Sequence, residues 1–254
     1  MPNILVFIAI LTLQLHNVVC QRRIIGGEDI DISLVPYMLS YMLNGRHVCG
    51  ASVISKEWGI TAAHCATAYR RDPLKEVTIR SGSSLVDEGG VIHKITKIIW
   101  HEKYETIDNH DDIAVFKVRP LFTFSAVTQP VNLPVKGVSF QQEWGVVTGW
   151  GYFMADNPVV ARQLQYLRIP KVSMEECLED YKGLFKVHPG DVCYGFRQGG
   201  KDSCRGDSGG PLVNDDKILI GITSWGRGCA ERFSPGLYIE TLFYRSWIKL
   251  HTGV

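Results

Sequence analysis

The segment Asp202-Ser203-Cys204-Arg205-Gly206-Asp207-Ser208-Gly209-Gly210-Pro211 sets a serine among glycines. A serine hydroxyl is a poor nucleophile until a base takes its proton and donors stabilise the oxyanion that follows. Glycines let backbone N–H groups approach a substrate closely and take φ values closed to other residues. Ser208 is therefore the candidate nucleophile, with the N–H groups of Gly206 and Ser208 aimed at the developing negative charge. The partners this chemistry needs lie upstream. His64 stands in Thr61-Ala62-Ala63-His64-Cys65, after the apolar run Trp58-Gly59-Ile60, and Asp112 opens a strand-like segment in His110-Asp111-Asp112-Ile113-Ala114-Val115. Singly, His64 reads equally as a core or surface histidine and Asp112 as a strand-edge acid. Together, in the order His, Asp, Ser and with these flanks, they read as a general base, its orienting carboxylate and a nucleophile.

Side chains so far apart in the chain need a rigid scaffold to meet. The 254 residues are 45% hydrophobic, enough for a sizeable core in one domain or two small ones. Stretches rich in β-branched and aromatic residues run over His47–Ile54, Val77–Arg80, Val91–Trp100, Ile113–Val118, Gly145–Gly149 and Ile218–Trp225, with Gly, Asn, Asp and Pro between them. Many short strands separated by turns predict closed or sandwiched antiparallel sheets. Pro130 to Gly137 forms a connector. Phe243, Trp247 and Leu250 fall at helical spacing and predict a terminal helix. The formal net charge of +1, with no basic run, argues against nucleic acid or an anionic membrane as partner.

Residues 1–20 read as a signal peptide. Ile4 to Leu13 is apolar but too short to span a bilayer, and Val18-Val19-Cys20 offers small residues for cleavage, although no basic residue precedes the apolar run. The product is expected to be secreted and extracellular. Removing Cys20 from seven cysteines leaves an even set, Cys49, Cys65, Cys177, Cys193, Cys204 and Cys229, which in an oxidising compartment reads as disulfides. Spacing alone does not choose the pairing. A zinc site from His47, Cys49, His64 and Cys65 is the rival reading, but its spacing fits no common zinc pattern. No Asn-x-Ser/Thr acceptor is present.

On the blocks around His64, Asp112 and Ser208, with Arg23-Ile24-Ile25-Gly26-Gly27, Thr148-Gly149-Trp150-Gly151 and Ser224-Trp225-Gly226, the chain resembles the secreted trypsin-like serine proteases of the chymotrypsin family. The resemblance runs from Ile24 almost to the C-terminus. It implies an all-β fold of two six-stranded antiparallel barrels (about 24–130 and 138–240) with a C-terminal helix at about 241–252. It also implies the pairs Cys49–Cys65, Cys177–Cys193 and Cys204–Cys229. A further bridge of many relatives is missing, its places held by Ile30 and Tyr166, as in many invertebrate trypsins.

The same resemblance implies a zymogen with a short activation peptide, residues 21–23, ahead of the peptidase domain, 24–254. An activating trypsin-like protease would cut after Arg23, and the freed amino group of Ile24 would pair with Asp207. Asp202 takes the place of the carboxylate at the base of the substrate pocket, with Ser203, Ser224, Trp225, Gly226 and Gly236 around it. The substrates expected are proteins or peptides cleaved after Arg or Lys. Protein inhibitors are possible partners, a monomer is expected, and no cofactor or metal is expected. The loop from Gly82 to Gly90 keeps only Asp87 and Glu88, far fewer oxygens than calcium takes. Two rival readings are a catalytically silent homologue that binds or regulates, against which all three triad residues are present, and a chymotrypsin- or elastase-type enzyme, against which Asp202 stands.

Arg205 departs from the family pattern, in which glutamine is usual. A cation at the pocket rim favours acidic residues near the scissile bond, modestly because solvent screens it. Of paired peptides carrying Glu or Lys beside the cleaved bond, the Glu peptide should be cut with the higher kcat/KM; equal rates would retire the assignment.

Overall fold

A computed structural model describes residues 24–68, 73–138, 142–154 and 157–254. The segments read as a signal peptide and an activation peptide, residues 1–23, lie outside the described residues. Among the described residues the strands are β1 (Glu28–Asp29), β2 (Met38–Leu43), β3 (Arg46–Val53), β4 (Trp58–Thr61), β5 (Val77–Ser81), β6 (Val91–Trp100), β7 (Ala114–Arg119) and β8 (Trp144–Gly149). They continue with β9 (Tyr152–Met154), β10 (Asn157–Val160), β11 (Gln165–Val172), β12 (Asp191–Tyr194), β13 (Pro211–Val213), β14 (Leu219–Trp225) and β15 (Gly236–Glu240). The helices are short: α1 (Ala63–Thr67), α2 (Pro73–Glu76), α3 (Met174–Tyr181) and α4 (Arg245–Thr252).

The first barrel closes in the order β2-β3-β4-β7-β6-β5. In the second, β8-β13-β14-β15-β12-β11 closes through pairing of β11 with β8. All strand pairs in the two barrels are antiparallel. Alternation places the core: β5 turns Val77, Ile79 and Ser81 inward while Thr78 and Arg80 are less covered. Closing both sheets removes the edges at which other chains could pair. β1 adds to β11 rather than to the first barrel, with Glu28 opposite Tyr166. The segment Glu28–Asp29 is therefore carried by the second barrel, beside the place where the missing bridge would lie. Ile24 is fully buried in that barrel's core with Val147, Leu212 and Tyr238.

The terminal helix starts later than its apolar spacing predicts. Residues 241–244 form a turn, and α4 runs from Arg245 to a left-handed Gly253 that caps it. Tyr244, just before the helix, and Ile248 within it are buried, whereas Phe243 and Leu250 are exposed. The i, i+4 pair faces the first barrel's β7 side, and burial against that surface overrides the spacing of the larger side chains.

The barrels meet backbone to backbone at the nucleophile loop. The Gly50 N–H on β3 donates to the Ser208 carbonyl at 2.8 Å. A Cβ on Gly50 would stand 2.7 Å from the Gly210 Cα, closer than real contacts allow. Gly50→Ala should therefore push the second barrel's loop away, costing about 1–3 kcal/mol by overpacking and lowering kcat. Thermal unfolding and turnover measured together check this; an unchanged Tm with full turnover would contradict it.

Candidate active site

The loop before β7 delivers Asp112, and α1 delivers His64 at its second residue. Asp112 is fully buried. Its Oδ2 accepts from His64 Nδ1 at 2.7 Å and its Oδ1 from the His64 backbone N–H at 2.7 Å. The Ser224 hydroxyl, from β14 of the other barrel, also donates to Oδ2. Burial pulls the His64 imidazole toward neutrality, but the charge and hydrogen bond of Asp112 outweigh it and raise the pKa above the ordinary value. With Nδ1–H held by the carboxylate, Nε2 keeps its lone pair.

Ser208 is partly accessible and lies on the wall shared by two hollows. One, of about 320 Å³, is also lined by His64, His47, Arg205 and Gly206. Ser208 Oγ makes no hydrogen bond to a described residue, so hydroxyl and imidazole share a cavity without a closed bond. Such bonds are commonly long in ligand-free sites and tighten around a substrate. The N–H groups of Gly206 and Ser208 likewise donate to no described residue. Gly206 has φ 96°, open only to glycine without strain, and its peptide is turned by His47, whose Nε2–H donates to the Gly206 carbonyl at 2.9 Å. The Ser40 hydroxyl lies 2.8 Å from His47 Nδ1, and burial holds that ring neutral, which suits this tautomer.

Sequence reasoning had His47 only as a zinc ligand and Ser224 only as a pocket residue. Neither second role has a local signal, since each depends on a partner in a distant strand. Cys49 and Cys65 lie near His64, but their sulfurs are joined in a disulfide and supply no thiolate to a metal. The pairs Cys177–Cys193 and Cys204–Cys229 are also formed.

The second hollow, about 340 Å³, contains Asp202 with Ser203, Trp225, Gly226 and Gly236. Asp202 is 6% exposed; one carboxylate oxygen accepts from the Ala230 N–H at 3.0 Å and the other has no hydrogen-bond partner among the described residues. Burial pushes its carboxyl up to about 7. A Cβ on Gly226 would come 3.7 Å from the Gly236 Cα, so bulk on either wall would narrow the passage. Ser203 Oγ is turned to Tyr238 Oη at 3.1 Å. The disulfide Cys204–Cys229 ties the nucleophile loop to the wall carrying Gly228.

Asp207 is buried beside the same loop and accepts from the N–H groups of Gly151 and Cys204 at 2.8 and 2.9 Å. Burial raises its carboxyl to about 6, and no cation of the described residues pairs with it. Asp87 and Glu88 face one guanidinium, that of Arg162, at 3.1 and 2.8 Å. A larger hollow, about 780 Å³, lies beside α1 around Trp100 and Tyr104, but it holds neither the nucleophile nor the base.

The trypsin family model matches residues 24–248. The chain is 37% identical over 235 residues to trypsin 5G1 of Aedes aegypti, covering 91% of this chain and 86% of that protein. It is 34% identical over 229 residues to a vitellin-degrading protease of Bombyx mori, covering 89% and 84%. A family match over most of the chain, on a double barrel that brings an Asp–His pair and a serine to one cavity, makes this protein a member of the trypsin family and a serine endopeptidase.

Proposed function

We propose that the protein is a secreted enzyme, made as a zymogen, that cleaves peptide bonds after Arg or Lys. The observation that carries this is Asp202: a buried carboxylate in the hollow beside Ser208, with one oxygen unpartnered. A guanidinium or ammonium entering there gains a charge-assisted pair, whereas an apolar side chain leaves the acid buried and unmatched.

With the substrate's basic side chain seated on Asp202, Ser208 Oγ attacks the following carbonyl carbon while His64 Nε2 takes the hydroxyl proton. The carbonyl oxygen becomes an oxyanion facing the N–H groups of Gly206 and Ser208. Collapse breaks the C–N bond; His64 returns the proton to the leaving amine, and an acyl-enzyme remains. Water, deprotonated by His64, then releases the acid and restores Ser208. Asp112 stabilises the imidazolium in both halves.

Activation is supported by two features of the junction. Ile24 has φ 44°, a costly conformation for a β-branched residue while an acyl group sits on its nitrogen. Cutting after Arg23 removes that acyl group and leaves an ammonium on a residue already buried near Asp207's loop, where Ile25 bridges Asp202. A pair with this ammonium would lower the Asp207 pKa and fix the loop that carries the oxyanion donors. The activating enzyme would itself be trypsin-like, since the cut follows Arg. A monomer acting on protein substrates suffices for this chemistry.

Ser208→Ala should abolish turnover without changing the fold, and the parent should hydrolyse Arg and Lys esters far faster than Phe or Tyr esters. N-terminal sequencing of the active secreted protein should begin at Ile24. A folded Ser208→Ala protein with the parent rate, or preference for Phe, would sink the reading. A second prediction concerns pH. Because Asp202 titrates near 7 and only its charged form binds a cation, affinity for an amidinium probe should fall roughly tenfold per pH unit below 7 and level off above 8. Competition assays between pH 5.5 and 8.5 measure this, and a flat profile would contradict it.

A further inference from the structure

We infer that Asp111 is a positioning residue for the reaction: its buried carboxylate, anchored by Tyr244 and flanked by His101 and His110, fixes the turn that presents Asp112 to His64. The inference rests on the triad reading above and adds a residue to it.

Asp112 sits at the centre of a three-residue turn closed by the Ile113 N–H, which donates to the Asp111 carbonyl at 2.8 Å. The His101 N–H in turn holds the Ile113 carbonyl at 3.0 Å. Both residues that shape the approach, Asn109 and Asp111, are left-handed, with φ 53° and 54°. Asparagine and aspartate tolerate this region better than other residues, yet it persists only where the surroundings hold it. For Asp111 the surroundings are visible. The residue is 5% exposed, and its Oδ1 accepts from Tyr244 Oη at 2.7 Å. Burial and the neighbouring Asp111 carboxylate push the Tyr244 pKa up, so its hydroxyl remains a donor. Tyr244 is itself buried at the start of α4 and packs edge-on to His101, 5.4 Å between centroids.

On the other side, Asp111 Oδ2 lies 3.6 Å from His101 Nδ1 and 3.5 Å from His110 Nε2. These separations exceed a hydrogen bond, so the rings act mainly through charge when protonated. The next charges outward are Glu102 and Lys103 beside His101, and Asp108, paired with His188 Nε2 at 2.8 Å. His188 stacks on His110 at 4.3 Å, and its N–H donates to Asp191, a buried acid raised to about 7. Asp111 is thus the point where the end of β6, the loop before β7 and the entry to α4 are joined. Two consecutive carboxylates point different ways from one turn: Asp112 to the base, Asp111 to the scaffold. Releasing the second lets the first drift, and a displacement of about 1 Å can cost up to roughly 10²-fold in rate. The loss falls on kcat, because neither residue lines the Asp202 hollow.

The test compares Asp111→Ala, Asp111→Asn and Tyr244→Phe with the parent, with rates normalised by active-site titration and an Arg amide as substrate. Asp111→Ala and Tyr244→Phe should each lower kcat about tenfold or more, with KM within about twofold. Asp111→Asn should recover most of kcat at pH 8, since its amide oxygen still accepts from Tyr244 and asparagine tolerates the left-handed turn. Full kcat in both Asp111→Ala and Tyr244→Phe, or a raised KM at parent kcat, would overturn the inference. If Asp111→Ala fails to fold, Tyr244→Phe and the recovery of kcat in Asp111→Asn decide it. Asp112→Asn separates the two readings, with an expected loss of roughly 10⁴-fold. If Asp112→Asn keeps its activity the triad reading itself fails; if only the Asp111 and Tyr244 variants keep theirs, the triad stands and Asp111 is incidental.

Discussion

A single carboxylate without solvent holds the active centre together. Asp112 is fully buried, and an ionised acid in such a place is costly unless its oxygens are bonded. Its bonds come from both halves of the molecule: the backbone and ring of His64 from the first barrel and the hydroxyl of Ser224 from the second. The charge that orients the base therefore also ties the barrels to each other. Loss of either half would leave the acid short of donors, so folding and chemistry draw on the same interactions.

The second barrel handles its acids differently. Asp202 and Asp207 are buried among backbone N–H donors, with no cation of the described residues against them, and burial raises both toward neutral pH. In the proposed reading each is matched by a cation that arrives later, one from the substrate and one from the chain's own new end. The same physical state, a desolvated acid with donors but no counter-charge, thus serves recognition at one residue and activation at another. Close backbone approach makes this economical in space. Gly50 and Gly210 touch where the barrels meet, and Cys204–Cys229 ties the loop of Ser208 to the wall of the Asp202 hollow.

Much of this was legible in the residues. Ser208 among its glycines, the order His64, Asp112, Ser208, and the short β-rich segments all carry local signals, because nucleophile loops and strands need particular residue types at short range. The structure sets the His64 ring against Asp112 and places Asp202 in the hollow beside Ser208. Other features had no local trace. The apolar spacing of Phe243, Trp247 and Leu250 marked the last helix, but which residues are buried there, Tyr244 just before it and Ile248 within it, is decided by packing against β7. The pairing of β1 with β11 sends the chain's first strand to the second barrel, a choice made by the partner strand and not by the two residues themselves.

By itself, then, the sequence determined the chemical types: a candidate nucleophile, a candidate base, acids of the right charge, an even set of cysteines and strands enough for closed sheets. Tertiary structure alone decided which polar atoms meet. Ser224 reaches Asp112 across 112 residues, His47 turns the Gly206 peptide from 159 residues away, and Tyr244 holds Asp111 from 133. Residue type and short-range pattern encode backbone preference and burial, but a hydrogen bond between barrels depends on register, twist and docking, and those exist only once the whole chain has packed.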